Sequence, residues 1–285
     1  MEYREIVYLL PVEREEEIQE LMAMVGHMDF FIEKLVGEAQ VLKVFIAQAS
    51  GVDDSILERC DDMGLERTSE RKLQELDWLK AWMDTLEPFV LTEGIWVDPF
   101  PEGGFIPPKG DRVMRVVPGT AFGTGLHQTT RLAARLLDQL DLEGSSVVDV
   151  GCGTGILALQ ARMRGASRLL CLDDDPAAVA RVDKTFKDND LGSVDSRTSD
   201  LLDAVSDVAP FDIVVANIIT EVLELLLDHP RLPEICRPET RLIFSGISQP
   251  KKARMEEALG KAPLKVVDHV TEGDWNAFLC IWEGR

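Results

Sequence analysis

Apolar residues recur along this chain in two different rhythms. From about residue 112 onward, short apolar runs alternate with amphipathic stretches. Residues 147–150, 168–172, 211–216 and 241–245 are brief and almost wholly apolar, as strands of a parallel sheet covered on both faces must be. Residues 264–270 and 276–282 predict a closing antiparallel pair. The front of the chain reads differently. Residues 5–10 predict a strand, 11–25 an amphipathic helix, 30–35 and 41–47 two short apolar stretches, and 53–63 a second helix ended by Gly64. Residues 69–88 predict one more helix, with Ser69 as N-cap, Pro88 as stop, and Trp78 and Trp82 as packing anchors. The stretch rich in Pro and Gly between Gly94 and Gly110 predicts a linker. The expected division is a small α+β domain over 1–68, a linker helix and loop over 69–104, and an α/β domain over 105–285.

Charge sharpens this division. The formal net charge is -21, which disfavours direct contact with nucleic-acid phosphates. Residues 1–104 carry 24 acidic and 9 basic side chains, while residues 105–285 carry 27 and 21. Solvated helix faces would account for this excess. So would an acidic front end that attracts a basic protein partner. The start of the chain lacks a basic region followed by an apolar one, and no run of ~18 apolar residues occurs. A cytoplasmic protein without membrane association is expected. The cysteines, at 60, 152, 171, 236 and 280, are odd in number and none has CxxC spacing. That argues against a disulfide framework or a zinc site, so no metal is expected.

The chemistry concentrates in four segments. The first is Val147-Val148-Asp149-Val150-Gly151-Cys152-Gly153-Thr154-Gly155-Ile156-Leu157, an apolar strand running into a glycine turn and a helix. Glycines permit positive φ and close ligand approach, and a helix N-terminus offers free N–H groups. Dinucleotide binders space their glycines as G-x-G-x-x-G. Ile156 breaks that pattern. The G-x-G-x-G spacing after Asp149 suits S-adenosylmethionine instead. The second segment is Asp173-Asp174-Asp175-Pro176, after the next strand. Asp173, first off that strand, is placed to accept the cofactor's ribose hydroxyls. Asp175 before Pro176 reads as an N-cap with proline in the first turn. Asp200, after the third strand, is a candidate adenine contact or equally a solvated turn residue.

The third segment spans Val117 to Thr130, where Gly119, Gly123 and Gly125 precede a helix capped by Thr129 or Thr130, and His127 is a candidate for lining the site. The fourth is Val214-Val215-Ala216-Asn217-Ile218-Ile219-Thr220, at the end of a central strand. Ligands of open α/β sheets lie beyond such ends, so Asn217 points at the reaction centre. Enzymes that methylate planar amides or adenine amines carry Asn/Asp-Pro-Pro-aromatic here. Asn-Ile-Ile-Thr disfavours those substrates.

Taken together, these segments resemble the methyltransferases of ribosomal protein L11, the PrmA type. The resemblance is carried by Pro118 to Thr130, Asp149 to Leu157, Asp173 to Pro176 and Val214 to Ile218. Ser245-Gly246-Ile247, Glu272-Gly273-Asp274-Trp275, Asp77-Trp78, Trp82, Pro88 and Trp96 to Pro99 contribute too. It covers about residues 70–285, whereas 1–68 match the family's recognition domain only in length and α+β character. The resemblance implies a doubly wound, seven-stranded class I methyltransferase sheet with a small N-terminal α+β domain. It implies that Thr130, Gly151, Asp173 and Asn217 bind S-adenosylmethionine, and the glycine turn adds Gly153. It also implies that amino groups of a basic protein, ribosomal protein L11, are methylated by a monomeric enzyme. Asn217 is the expected amine-orienting residue, with His127 assisting proton loss through water. Two other readings stay open: methylation of another protein lysine or a small molecule, and a non-catalytic cofactor-binding assembly factor.

Overall fold

The computed structural model describes residues 2–24, 30–34, 40–47, 55–74, 86–100, 102–118, 123–205 and 209–284. The chain forms two compact units, Met1–Thr85 and Leu86–Arg285. The first contains β1 (Glu2–Leu10), α1 (Glu15–Met24), β2 (Phe30–Lys34), β3 (Gln40–Ala47), α2 (Ser55–Asp62) and β4 (Glu66–Gln74). Its antiparallel sheet has the order β2-β3-β1-β4, the ferredoxin-like arrangement of split βαβ units. Ile6, Tyr8 and Leu10 alternate along β1 into one core with Leu42, Val44 and Ile46 of β3. The amphipathic helices close that core through Ile18, Met22, Ile56 and Leu57.

The expected helix beginning at Ser69 is corrected here. Residues up to Gln74 form a strand whose Ser69 pairs with Val7. The described side chains of β4 are exposed, so no apolar period marked it as a strand. Its charges hold it instead. Arg71 pairs with the buried Glu5, and Arg67 reaches Asp61 at 2.9 Å. Trp78 and Trp82 lie outside the described residues.

The stretch expected as a linker also differs. Two short antiparallel strands, β5 (Phe89–Thr92) and β6 (Ile95–Asp98), turn at Gly94, and β7 (Arg112–Arg115) pairs parallel with β6. Leu91, Ile95, Val97 and Met114 are buried in the core of the second unit. Four-residue strands among prolines and glycines leave too short a pattern to distinguish from a loop.

The second unit continues with α3 (Gln128–Asp138), β8 (Ser146–Val150), α4 (Ile156–Met163), β9 (Arg168–Asp173), α5 (Pro176–Asp188) and β10 (Asp195–Thr198). There follow β11 (Ile213–Asn217), α6 (Thr220–Leu227), α7 (Leu232–Ile235), β12 (Arg241–Ser248), α8 (Lys252–Lys261), β13 (Leu264–Glu272) and β14 (Trp275–Trp282). The seven-stranded sheet runs β10-β9-β8-β11-β12-β14-β13, parallel except for the pairings of β14. The doubly wound class read from the sequence is thus present. Successive strand residues feed opposite cores. Val147, Cys171 and Val215 face α3, α4 and α5, while Val148, Leu170 and Val214 face α6, α7 and α8. The chain leaves β8 toward β9 on one side and β11 lies on the other. A crevice for a ligand opens at such a reversal, beyond the carboxyl ends of the strands.

Candidate active site

Parallel register brings the sequence-predicted residues to that edge. Val150 pairs with both Leu172 and Ala216, so Gly151, Asp173 and Asn217 leave the sheet at one level. The glycine turn is tied down first. The N–H groups of Gly151 and Cys152 both donate to the Leu172 carbonyl, at 2.8 and 3.0 Å. Gly151, Gly153 and Gly155 have φ of 70°, 54° and 77°, the left-handed region that favours glycine. At Gly151 space matters as well: a Cβ would lie 2.3 Å from the Ile218 side chain.

Asp173 joins this turn directly. Its Oδ2 accepts the Gly153 N–H at 2.8 Å, and its Oδ1 accepts that of Asp175 at 3.1 Å. Burial raises its pKa while those two bonds lower it, and the net shift is upward. A carboxylate has lone pairs beyond those two bonds, so it can still accept hydroxyls. Asp175 caps α5 through Ala177 N–H with Pro176 following, as expected. Asp149 sits beneath the turn, buried, and accepts the Ala158 N–H at 3.3 Å. Burial pushes its carboxyl up to about 7. Asp200 is exposed beyond β10.

Asn217 and Thr130 meet across the crevice. The Asn217 Nδ2 donates to Thr130 Oγ1 at 3.3 Å, and Thr130 is fully buried. Ser245 Oγ donates to the Thr129 carbonyl at 2.8 Å, so the start of α3 is held over the ends of β11 and β12. The Asn217 Oδ1 is buried without a hydrogen-bond partner among the described residues. An unpaired buried acceptor is destabilising by about 1–3 kcal/mol, so this oxygen is an acceptor waiting for a ligand donor.

His127, rather than Thr129 or Thr130, is the N-cap of α3. Its Nδ1 accepts the Thr129 N–H at 3.3 Å, which leaves the ring proton on Nε2. Its ring meets Trp275 edge-on, with centroids 4.9 Å apart. Burial, then the Arg131 charge, lowers its pKa to about 4. It is neutral at pH 7. Of the glycine-rich approach to α3, residues 119–122 lie outside the described residues. Gly123 is described, and its carbonyl accepts a hydrogen bond from Thr154 of the glycine turn.

Sequence reasoning missed what braces these groups. Gly246 has φ of 90°, and a Cβ there would lie 2.3 Å from the Ile218 carbonyl oxygen. Ile218 N–H donates to the Ser245 carbonyl at 3.2 Å. The segment after Asn217 is therefore pinned between two glycines. Glu272 pairs with Arg131 and Arg135 of α3. The only sequence signals were the Ser245-Gly246-Ile247 and Glu272-to-Trp275 segments, whose partners lie far away in sequence.

These residues fit S-adenosylmethionine: a glycine turn at a helix N-terminus, a fixed carboxylate one strand over on one side, and on the other side an amide oxygen with no partner among the described residues. A doubly wound sheet carrying that set defines a class I methyltransferase dependent on S-adenosylmethionine. Comparison with known proteins narrows the class. The family model described as ribosomal protein L11 methyltransferase (PrmA) matches residues 12–281. The chain is 34% identical over 275 residues to the ribosomal protein L11 methyltransferase of Thermotoga petrophila, covering 96% of this chain and 97% of the relative. It is 33% identical over 256 residues to that of Clostridium botulinum, with 85% and 79% covered. The crystal structure of a ribosomal protein L11 methylase from Lactobacillus delbrueckii subsp. bulgaricus matches with a TM-score of 0.64 and 28% identity, covering 70% of this chain and all of that one. This chain belongs to the ribosomal protein L11 methyltransferase family.

Proposed function

We propose that this enzyme transfers methyl groups from S-adenosylmethionine to amino groups of ribosomal protein L11, on lysine side chains and at the N-terminal amine. The unpartnered Oδ1 of Asn217 at the strand reversal carries this reading. It offers an acceptor for an amine N–H, and Thr130 fixes its orientation through Nδ2. The identity of the substrate rests on the relatives' names, at 34% identity over nearly the full chain. Gly151, Gly153, Asp173 and Thr130 hold the cofactor in this proposal. When bound, S-adenosylmethionine supplies a methyl group on a sulfonium sulfur.

The amine must be neutral to attack. A lysine pKa of roughly 10.4 makes its deprotonation at pH 7 unfavourable by about 4.6 kcal/mol. Partial burial and a nearby sulfonium would lower that barrier, because both disfavour a second positive charge. In this proposal the amine's proton is released to water, Asn217 Oδ1 orients the neutral amine, and alignment of that amine with the bound methyl donor would supply the rate. His127 is recast in this proposal as a positioning residue. With a pKa of about 4 it is a weak proton acceptor at pH 7.

The unit Met1–Thr85 recognises the protein substrate in this proposal. Residues 1–68 within it carry 16 acidic and 6 basic side chains, a match for a basic ribosomal protein. The enzyme acts as a cytoplasmic monomer without binding nucleic acid directly. The test is incubation of purified enzyme with labelled S-adenosylmethionine, purified L11 and, separately, whole-cell extract. Label on L11 amines, mapped by mass spectrometry, is the expected result. Label on a different band, or only on small molecules, sinks the substrate assignment.

A further inference from the structure

The segment that follows Asn217 carries a second buried acceptor that neither the glycine turn nor Asp173 uses. Thr220 begins α6, three positions beyond Asn217. It is 1% exposed, and its Oγ1, like the Asn217 Oδ1, has no hydrogen-bond partner among the described residues. A threonine hydroxyl in a helix normally finds a nearby backbone carbonyl. No such partner is found among the described residues, and Ile219, the N-cap residue before Thr220, supplies no side-chain cap. The segment cannot slide to repair the defect. Ile218 is wedged against Gly151 on one side and Gly246 on the other, and its N–H is held by the Ser245 carbonyl. Two oxygens without partners among the described residues thus lie three positions apart in the chain, one at the end of a central strand and one at the start of the helix that follows.

A neutral primary amine has one lone pair and two N–H groups. Holding one N–H leaves the lone pair free to rotate about that bond. Holding both fixes its direction. We propose that the Thr220 hydroxyl is a substrate-positioning group that accepts the second N–H of the attacking amine while Asn217 Oδ1 accepts the first. This rests on the amine-methylating reading above. It also gives Asn-Ile-Ile-Thr a chemical sense. The position that is aromatic in enzymes acting on planar nitrogen groups here carries a small acceptor, suited to a tetrahedral amine.

The test compares Thr220→Val, which keeps the shape and removes the hydroxyl, with Thr220→Ser, which keeps it. Three quantities are measured on the full chain: S-adenosylmethionine affinity by calorimetry, kcat and KM for L11, and the melting temperature without ligand. Thr220→Val leaves cofactor affinity within about twofold and lowers kcat about 3- to 10-fold, as for one lost hydrogen bond. It also raises the melting temperature of the free enzyme by about 2–4 °C, because a buried unsatisfied oxygen is removed. Thr220→Ser restores kcat. A slower but more stable enzyme is a signature that a structural hydroxyl would not give. Unchanged kcat in Thr220→Val overturns the proposal, as does a lowered melting temperature, which would reveal a structural partner. Wild-type enzyme that labels no protein amine overturns the functional reading, and this proposal falls with it. Active wild type with an indifferent Thr220→Val removes only the role of Thr220.

Discussion

The two units of this molecule use their sheets in opposite ways. In Leu86–Arg285 the parallel strands are covered on both faces, and neighbouring residues such as Val147 and Val148 enter separate cores. The polar side chains of Asp173 and Asn217 sit at the carboxyl ends of their strands, with Ser245 level with Asn217 in the register. In Met1–Thr85 one core lies on one side of an antiparallel sheet, fed by Ile6, Tyr8 and Leu10. Charge there is spread along helices and down the edge strand Glu66–Gln74, in pairs such as Arg4–Glu70 and Arg67–Asp61. Burying both faces of a sheet moves polar groups toward the strand ends, and leaving an edge strand open spreads charge over a surface.

Removing the group at the end of the central strand should have the largest effect. Asn217→Ala is expected to lower kcat about 100-fold or more, since orientation of the nucleophile supplies much of the rate. The melting temperature should move little, because removal of an Oδ1 with no partner among the described residues offsets loss of the Nδ2 bond to Thr130. Steady-state kinetics at saturating L11 decide it. Wild-type turnover in this variant would mean that the crevice does not orient the amine.

Asp173→Ala sharpens the same side of the comparison. The carboxylate is a fixed acceptor built into the turn. Its loss should weaken S-adenosylmethionine about 10- to 100-fold, as for one charge-assisted bond. NAD should fail to bind either protein. Calorimetry that finds NAD preferred would contradict the reading of the glycine spacing.

The units also differed in how much of them could be read from sequence. The central strands of the large unit are mostly apolar, so Ser146–Val150, Arg168–Asp173 and Ile213–Asn217 stood out, and the glycine turn with them. Strand Glu66–Gln74 carries Arg67, Glu70 and Arg71 on an edge exposed to solvent, and without a buried face it has no period. Its ion pairs with Asp61 and Glu5 depend on contacts that no local pattern reveals. The braces at Gly246 and Trp275 were hidden for a related reason. Each acts on a residue at least 28 positions away, on Ile218 and His127.

The small unit is tested by what its removal spares. A chain beginning at Leu86 should keep its cofactor affinity within about twofold, because every group assigned to the cofactor lies beyond that point. Starting at Ser69 instead would split the strand Glu66–Gln74. The shortened enzyme should lose about 10-fold in kcat/KM for L11. The intact enzyme's rate at low L11 should fall as salt rises, because surface attraction is screened within ~8 Å at physiological ionic strength. Equal rates for both chains at both salt concentrations would strip the acidic unit of its recognition role.

The smallest expected effect separates the units by how they treat charge. The small unit pairs some of its charges near the surface, as in Arg67–Asp61 and Arg4–Glu70, whereas the large unit holds His127 and Asp149 away from water. Burial and then the Arg131 charge lower His127 to about 4, below an ordinary histidine near 6.5. The unfolded chain therefore binds the proton first as pH falls. Stability from this group is complete above pH ~6.5 and is lost as pH drops toward 4. Asp149 runs the other way. Burial raises its carboxyl to about 7, so its contribution is present at low pH and is lost as pH rises through 7. The two oppose each other between pH 4 and 7, and the wild-type melting curve alone would hide both. His127→Asn uncovers the histidine, because asparagine is a good N-cap that does not titrate. The difference in melting temperature between variant and wild type should shift in the variant's favour by about 2–4 °C between pH 8 and pH 5. Asp149 is common to both proteins and cancels in the difference. A constant difference across that range would show that His127 titrates as in water, and that the start of α3 is not closed over the crevice.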